Sequence, residues 1–344
     1  METTHQIHVE DARSMDALDD ESVDLVVTSP PYPMVEMWDD LFSDLDPRVA
    51  DRLDAGAGVA AFELMHDALD PVWEEVARVL APGGIACINV GDAVRSVGDG
   101  FRQYSNHVEI TRRVTGCGLS ALPDVLWRKP VNSTNKFLGS GTIPTNAYVT
   151  LEHEYVLIFR KGQLRKFPPG DRLRYESAFF WEERNEWFSD LWEDVQGVGQ
   201  TLDETDLRER SGAFPFEIPY RLICMYSVYG DTVLDPFWGT GTTSLAAMVA
   251  ARNSVGYELK PEFGSLFKNR IEDVSGFSRM VLDQRLDDHE AFVAAHNGGF
   301  SYEALTYDVP VKTKQEREIQ FYAVDHVRNE ANQYNLTHTP YPTR

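Results

Sequence analysis

The chain is poor in cysteine and lysine and has no long apolar run. Its 344 residues hold three cysteines, Cys87, Cys117 and Cys224, far apart in sequence. Such spacing excludes a disulfide framework and a metal knuckle. No apolar stretch approaches the ~20 residues needed to cross a bilayer. The first residues, METTHQIHVEDARSM, are too polar and acidic for a secretory signal. No repeat or low-complexity tract occurs. His5, His8, His66, His107 and His153 show no ligand spacing, so no metal is expected. The expectation is a cytoplasmic protein with no membrane partner.

Lysine supplies only eight of 32 basic residues, against 55 acidic ones, for a net charge of −23. An acid-rich, lysine-poor chain resembles proteins of salt-loving cells, where self-repulsion is screened. It argues against casual binding of nucleic acid. The charge is uneven, however. Residues 1–94 carry −17, residues 95–174 carry +7 and residues 175–344 carry −13. The basic window includes Arg102, Arg112, Arg113, Arg128, Lys129, Lys136, Arg160, Lys161, Arg165 and Lys166. Two readings stay open: a face reserved for a polyanion, or local pairing with the acidic remainder.

What is present suits a globular protein, with 42% hydrophobic and 11% aromatic residues. Val23–Thr28 is a short apolar run stopped by Ser29-Pro30-Pro31, as a buried strand would be. Residues 60–80 have helical spacing, closed by Ala81-Pro82-Gly83-Gly84, and 85–90 read as the next strand. Strands are expected at 124–127, 155–159, 232–235 and 254–258. Helices are expected at 219–229 and 242–251. Alternating strands and helices imply an α/β fold with a mostly parallel sheet. Residues 129–150, with Asn132, Asn135 and Asn146, read as a long polar loop. The aromatic segment Tyr175–Trp192 reads as packing. In the tail, a helix is expected near 279–296 and a strand near 319–324.

Two loops carry chemistry. In Asp235-Pro236-Phe237-Trp238-Gly239-Thr240-Gly241-Thr242-Thr243, a strand feeds a glycine loop that opens a helix. Glycines admit a ligand close to the backbone, and a helix N-terminus offers free N–H groups. Glu258 ends the next strand, 19 residues after Gly239, where a doubly wound fold sets a carboxylate against ribose hydroxyls. A dinucleotide fingerprint wants a third glycine, but position 244 is Ser, which favours a nucleoside-type cofactor without a pyrophosphate. The other loop is Ser29-Pro30-Pro31-Tyr32. Two prolines stiffen it and remove donors. A serine hydroxyl and carbonyls then form a set of acceptors beside an exposed aromatic ring, suited to a planar substrate with an exocyclic amine. Alone, this loop reads equally as a proline-rich turn with a core tyrosine.

Together, Asp-Pro-Phe-x-Gly-x-Gly-Thr-Thr at 235–243 and Ser-Pro-Pro-Tyr at 29–32 resemble the amino-methylating DNA methyltransferases that use S-adenosylmethionine. The catalytic string precedes the cofactor string by about 200 residues, which resembles the permuted β class. Arg78–Gly84, Trp127-Arg128-Lys129-Pro130, His153-Glu154-Tyr155 and Phe214–Ile223 are further matches. The resemblance implies a Rossmann-like methyltransferase fold with S-adenosyl-L-methionine as cofactor. Ser29 and the Pro30 carbonyl would hold the target amino group, with Pro31 and Tyr32 completing the catalytic set. Tyr32 would stack on a base turned out of double-stranded DNA. Asp235, Pro236, Phe237, Gly239, Gly241, Thr242, Thr243 and Glu258 would bind cofactor, with Asp11 near its adenine, although Glu10 is adjacent and the register is open.

Ser at the first catalytic position resembles cytosine N(4) methylases, and the composition resembles haloarchaeal methylases of CTAG sites. Ring-carbon chemistry would need a Pro-Cys nucleophile, and no cysteine here follows a proline. The implied organisation is a catalytic half at 1–160 and an inserted target-recognition region at 161–210. A cofactor half at 211–275 and an extension at 276–344 complete it. A restriction endonuclease partner is compatible with this reading. The rivals are an adenine N(6) methylase, a catalytically silent DNA binder and a nicotinamide-dependent dehydrogenase.

Overall fold

The computed structural model describes residues 1–98, 100–129, 138–195, 214–296, 298–330 and 332–342. In chain order the first strands are β1 (Glu2–His8), β2 (Val23–Thr28), β3 (Leu80–Val90), β4 (Ala93–Val97), β5 (Gly100–Tyr104) and β6 (Leu119–Ala121). Next come β7 (Val125–Arg128), β8 (Leu138–Gly139), β9 (Ala147–Tyr148), β10 (His153–Lys161), β11 (Leu191–Trp192), β12 (Thr232–Asp235) and β13 (Asn253–Tyr257). The last are β14 (Tyr302–Glu303), β15 (Pro310–Val311), β16 (Tyr322–Glu330) and β17 (Gln333–Pro340).

One large sheet runs β11-β7-β10-β3-β2-β12-β13-β1-β17-β16, with β6 against β10. Its centre, β3-β2-β12-β13-β1, is parallel throughout. β10 and β17 flank that centre antiparallel. The expected α/β fold with a mostly parallel, Rossmann-like sheet is therefore the fold observed. Central parallel strands are covered on both faces and so read as apolar runs. Val23, Leu25, Val26 and Val27 are accordingly all buried. Leu25 and Val27 share a core with the helices Glu217–Tyr226 and Thr242–Val249. Val23 and Val26 share the opposite core with Gly58–Asp67, Asp70–Val79 and Asn106–Gly116.

Three boundaries differ from the sequence reading for local reasons. The helix expected over 60–80 is two helices, Gly58–Asp67 and Asp70–Val79. Pro71 lies in the first turn of the second, where its missing N–H costs nothing, whereas it would interrupt a continuous helix. Ala81–Gly84 do not separate helix from strand. They bulge out of β3, which pairs with β2 through Leu80 and again from Ile85. Gly83 takes φ +85 in that bulge. The tail helix is longer than expected, Val274–Ala295, and the Asp273 carboxylate accepts the Gly276 N–H at its start.

Polar spelling conceals β1. Thr3 and His5 are buried in it, and His5 Nδ1 lies 2.9 Å from Ser254 Oγ. The Thr3 hydroxyl joins His5 and His338 at 3.0 and 2.8 Å. Burial pushes His5 down to about 3 and His338 down to about 4, so both are neutral in this strand contact at neutral pH. The paired strands β16 and β17 extend the sheet beyond β1. In the aromatic segment Phe180, Trp187 and Trp192 are buried, in agreement with packing.

Local pairing accounts for most of the basic window. Arg113 meets Glu63, Asp67, Asp70 and Glu109. Arg112 pairs with Glu109, Arg128 with Glu193, Lys161 with Glu21 and Arg165 with Asp231 and Asp24. Lys129 pairs with Glu154, and Arg160 donates to the Gly162 carbonyl. Beyond the window, Arg221 holds Glu186, Asp194 and Glu217. Of the window cations named above, and among the described residues, Arg102 and Lys166 stay exposed without an acidic partner. Asn132, Asn135 and Lys136 lie outside the described residues. No helix among those described is long and apolar enough to cross a membrane.

Gly256 in β13 lies under the indole of the glycine loop, and a Cβ there would sit 2.1 Å from Trp238 Cδ1. Gly256→Ala is expected to destabilise the protein by about 1–3 kcal/mol through overpacking. Denaturant unfolding checks this; a midpoint equal to wild type would show that the indole moves aside freely.

Candidate active site

Four neighbouring parallel strands, β2, β12, β13 and β1, end on one edge. Ser29–Tyr32 follow β2, the glycine loop follows β12, Glu258 follows β13 and Glu10-Asp11 follow β1. This is the crevice beyond the carboxyl ends of strands where open α/β sheets bind ligands. Val156 pairs with Asn89 across β10 and β3, so Glu154 and Asn89 reach the same edge.

Asp235 joins two of these loops. Its carboxylate is buried and accepts the Thr28 hydroxyl and the Thr243 hydroxyl, each at 2.6 Å. It also accepts the Phe237 N–H at 3.1 Å. Thr28 ends the strand before Ser-Pro-Pro-Tyr, and Thr243 begins the helix after the glycines. Burial pushes Asp235 up to about 6 against the pull of these donors, and the charge of Glu258 adds to the rise.

The glycine loop is held from below and open above. Gly239 takes φ +52 and its N–H donates to Glu258 Oε2 at 2.8 Å. Lys260 N–H donates to Glu258 Oε1 at 2.9 Å. Burial raises the Glu258 carboxyl above its ordinary value. A Cβ on Gly239 would meet nothing nearer than Phe237 O at 3.8 Å, whereas one on Gly241 would strike Phe267 at 2.4 Å. So Gly241 is required by packing, and Gly239 by its backbone and by the open side it presents. Pro236 is buried, and Phe237 packs edge-on to Trp73. Thr242 begins the helix and accepts Arg270 Nη1 at 2.9 Å. Arg270 also donates to the Thr240 carbonyl and has no carboxylate partner among the described residues. Burial alone pushes it down to about 10.

Ser-Pro-Pro-Tyr differs in one respect from the sequence reading: the Tyr32 ring is half-buried, not exposed. Its hydroxyl lies 3.0 Å from Ser29 Oγ, donates to Glu154 Oε2 at 3.1 Å and accepts Asn89 Nδ2 at 2.9 Å. Asn89 also donates to Glu154 Oε2 at 2.7 Å, and Lys129 Nζ holds the other oxygen at 2.7 Å. Burial and the Glu154 charge raise the Tyr32 phenol well above its ordinary value. Pro30 and Pro31 are buried beside it. A phenol has one hydrogen and can accept two. With that hydrogen on Glu154 and Asn89 as one donor, Ser29 is the second donor. The lone pairs of Ser29 are thereby left to accept.

Asp11 is brought to the same edge, but its carboxylate is occupied by Arg13 at 2.6 Å, which holds it below the usual carboxylate range. The neighbouring Glu10 is the acid whose charge helps raise the Tyr257 phenol to about 12, after burial itself. Tyr257 Oη and His8 Nε2, at the ends of β13 and β1, are buried and lack partners among the described residues. Sequence reasoning assigned no role to Thr28, Asn89, Glu154 or Arg270, and saw Lys129 only as one cation of the basic window. His153-Glu154-Tyr155 was visible only as a family-like string, and a lone Arg at 270 carries no signal.

Residues 23–269 match the model of the N6/N4 methyltransferase family, described as DNA methylase. The chain belongs to that family: it is a type II, S-adenosylmethionine-dependent DNA methyltransferase acting on an amino group. It is 50% identical over 325 residues to the type II methyltransferase M.MthZI of Methanothermobacter thermautotrophicus, spanning 94% of this chain and 91% of that one. With M.MjaI of Methanocaldococcus jannaschii it shares 51% over 280 residues, 78% and 91% of the two chains. Among solved structures, a DNA modification methylase of Thermus thermophilus, TTHA0409, crystallised with S-adenosyl-L-methionine, superposes with TM-score 0.61 at 33% identity, covering 78% and 94%. The PvuII cytosine-N4-specific methyltransferase superposes with TM-score 0.53 at 18% identity, covering 82% and 94%, a likeness of fold.

The crevice fits the cofactor of this family. Gly239 leaves open space, and Glu258 retains acceptor capacity after two N–H bonds. The unpartnered Tyr257 hydroxyl lies at the same end of the sheet.

Asp235 yields a pH prediction. An acid whose carboxyl is raised when folded, here from 3.8 to about 6, binds a proton in the native state that the unfolded chain has lost. Its contribution to stability is therefore fully present below about pH 4 and is lost as pH rises to about 6, by about 3 kcal/mol in all. The wild-type minus Asp235→Asn difference in unfolding free energy, followed from pH 4 to 7, should show this fall; a flat difference contradicts it.

Proposed function

We propose that the protein transfers a methyl group from S-adenosylmethionine to the N(4) amino nitrogen of a cytosine turned out of double-stranded DNA. The supporting observation is the hydrogen-bond accounting at Ser29, whose hydrogen is directed to Tyr32 and whose lone pairs are left to accept. Asp235, Pro236, Phe237, Gly239, Gly241, Thr242 and Thr243 form the cofactor loop, with Gly239 approached most closely. Glu258 accepts from the ribose hydroxyls, and Asp11 lies at the adenine end of the cleft. When bound, the cofactor supplies an electrophilic methyl group on a sulfonium.

The chain's own task is to position a poor nucleophile. An amine on an aromatic ring delocalises its lone pair. Ser29 and the Pro30 carbonyl accept its hydrogens and favour a more tetrahedral nitrogen facing the methyl. Pro31 keeps that loop rigid, and Tyr32 supplies a ring face for the base. An extruded base is required because the amine cannot be approached inside the duplex. Cytosine is favoured over adenine by Ser at position 29, as in the cytosine N(4) methylases. CTAG as the recognition site rests on the haloarchaeal resemblance. Residues 161–210 are proposed as part of the recognition surface; 196–210 lie outside the described residues. The type II names of the relatives favour a restriction endonuclease of matching specificity as partner.

Incubation with unmethylated DNA and labelled cofactor, in dilute and in molar potassium chloride, followed by nucleoside separation, tests the reaction and base together. Labelled N(4)-methylcytosine is expected, whereas N(6)-methyladenine would keep the mechanism and overturn the meaning given to Ser29. Ser29→Ala should slow single-turnover transfer about 100-fold or more with cofactor affinity held; equal loss of both would remove Ser29 from the amine. Glu258→Ala should weaken cofactor binding about tenfold or more, which equilibrium dialysis would detect.

A further inference from the structure

Glu154 has two features that a merely structural carboxylate does not need. It is buried, and it touches the phenol that touches the proposed amine acceptor. We propose that Glu154 receives, by way of Tyr32 and Ser29, the proton that the target nitrogen releases on methylation. The proposal rests on the amine-holding role of Ser29 given above.

The atoms balance as follows. The nitrogen lone pair forms the N–CH3 bond while the C–S bond breaks, its electron pair remaining on sulfur. The nitrogen, now bearing the positive charge, gives a proton to Ser29 Oγ. The Ser29 hydrogen passes to Tyr32 Oη across 3.0 Å, and the Tyr32 hydrogen passes to Glu154 Oε2 across 3.1 Å. One carboxylate charge and one sulfonium charge disappear together.

Each bond already points in the direction the relay needs. Asn89 Nδ2 donates to both Tyr32 Oη and Glu154 Oε2, so it holds the two oxygens together and cannot itself take the proton. Asn89 is fixed inside the sheet and 2% exposed. The far end of the chain reaches water: Lys129 binds the second carboxylate oxygen and its side chain is 52% exposed. Lys129 stabilises the carboxylate before transfer and, with its partner neutralised afterwards, is free to admit the water that removes the proton. A Cβ on Gly91 would come within 3.2 Å of the Tyr32 ring and 3.3 Å of Glu154 Cγ, so the backbone also packs this pair closely.

Two variants test the relay. Tyr32→Phe keeps the ring and removes only the hydroxyl; Glu154→Gln keeps the shape and removes the basic oxygen. Single-turnover transfer should fall about 100-fold in both. Affinities for S-adenosylmethionine and for DNA, measured separately at equilibrium, should stay within about threefold. In rapid-scan infrared difference spectra, a protonated carboxyl band should rise with methyl transfer in wild type and be absent from both variants. Transfer near the wild-type rate in Tyr32→Phe, a band that persists in Glu154→Gln, or no band in wild type would overturn the relay. Loss of affinity in step with rate would also overturn it, leaving Glu154 a structural group. Tyr32→Phe is conservative enough to decide the matter if Glu154→Gln misfolds. Normal transfer in Ser29→Ala as well would instead sink the underlying role of Ser29. Methylation of adenine would leave the relay intact, because its amine releases the same proton.

Discussion

A carboxylate in a closed interior must find donors, and Asp235 finds its side-chain donors in two segments about 200 residues apart. Thr28 belongs to the strand that delivers Ser-Pro-Pro-Tyr; Thr243 belongs to the helix that follows the glycines. The pairing of β12 beside β2 makes the meeting possible, and the two hydroxyls make it specific. Ser-Pro-Pro-Tyr and the glycine loop inherit their relative position from this junction. If it slips, the two loops lose a common frame, whatever the quality of either alone. The burial that makes the carboxylate costly to ionise is also what makes its hydroxyl partners hard to replace.

The parts of this arrangement visible in the sequence were those with short, strict spelling. The apolar strand Val23–Thr28, the glycine loop and the acidic strand end at Glu258 each follow from local backbone needs, and the structure brings them to one edge. Elements held by long-range polar contacts were not visible. β1 was not anticipated, because Thr3, His5 and His338 satisfy one another only once the chain has folded. The Tyr32 ring was read as exposed because its partners, Asn89 and Glu154, come from strands that no spacing connects to it. A single proline, Pro71, divided a helix whose hydrophobic period continued unbroken across it.

Charge was the question that the sequence left most evenly open. A window of +7 in an acidic chain suggested a face for a polyanion, yet the fold answers most of those cations internally. Adjacent sequence is a poor guide here, because Arg113 is paired chiefly by residues from 63 to 70 and Arg165 by Asp24 and Asp231. Among the described residues of that window, Arg102 and Lys166 are the exposed cations that the fold leaves without an acidic partner.

The same pairing has a consequence for how the protein tolerates change. Arg113 gathers four carboxylates and Arg221 three. Such a hub is redundant in one direction only. Deleting any one acid leaves the guanidinium with at least two companions, so the loss is shared. Deleting the arginine strands three or four negative charges at once, in a molecule already burdened with them. A substitution at one of these carboxylates is therefore buffered by its neighbours, while loss of Arg113 or Arg221 is felt by a whole cluster.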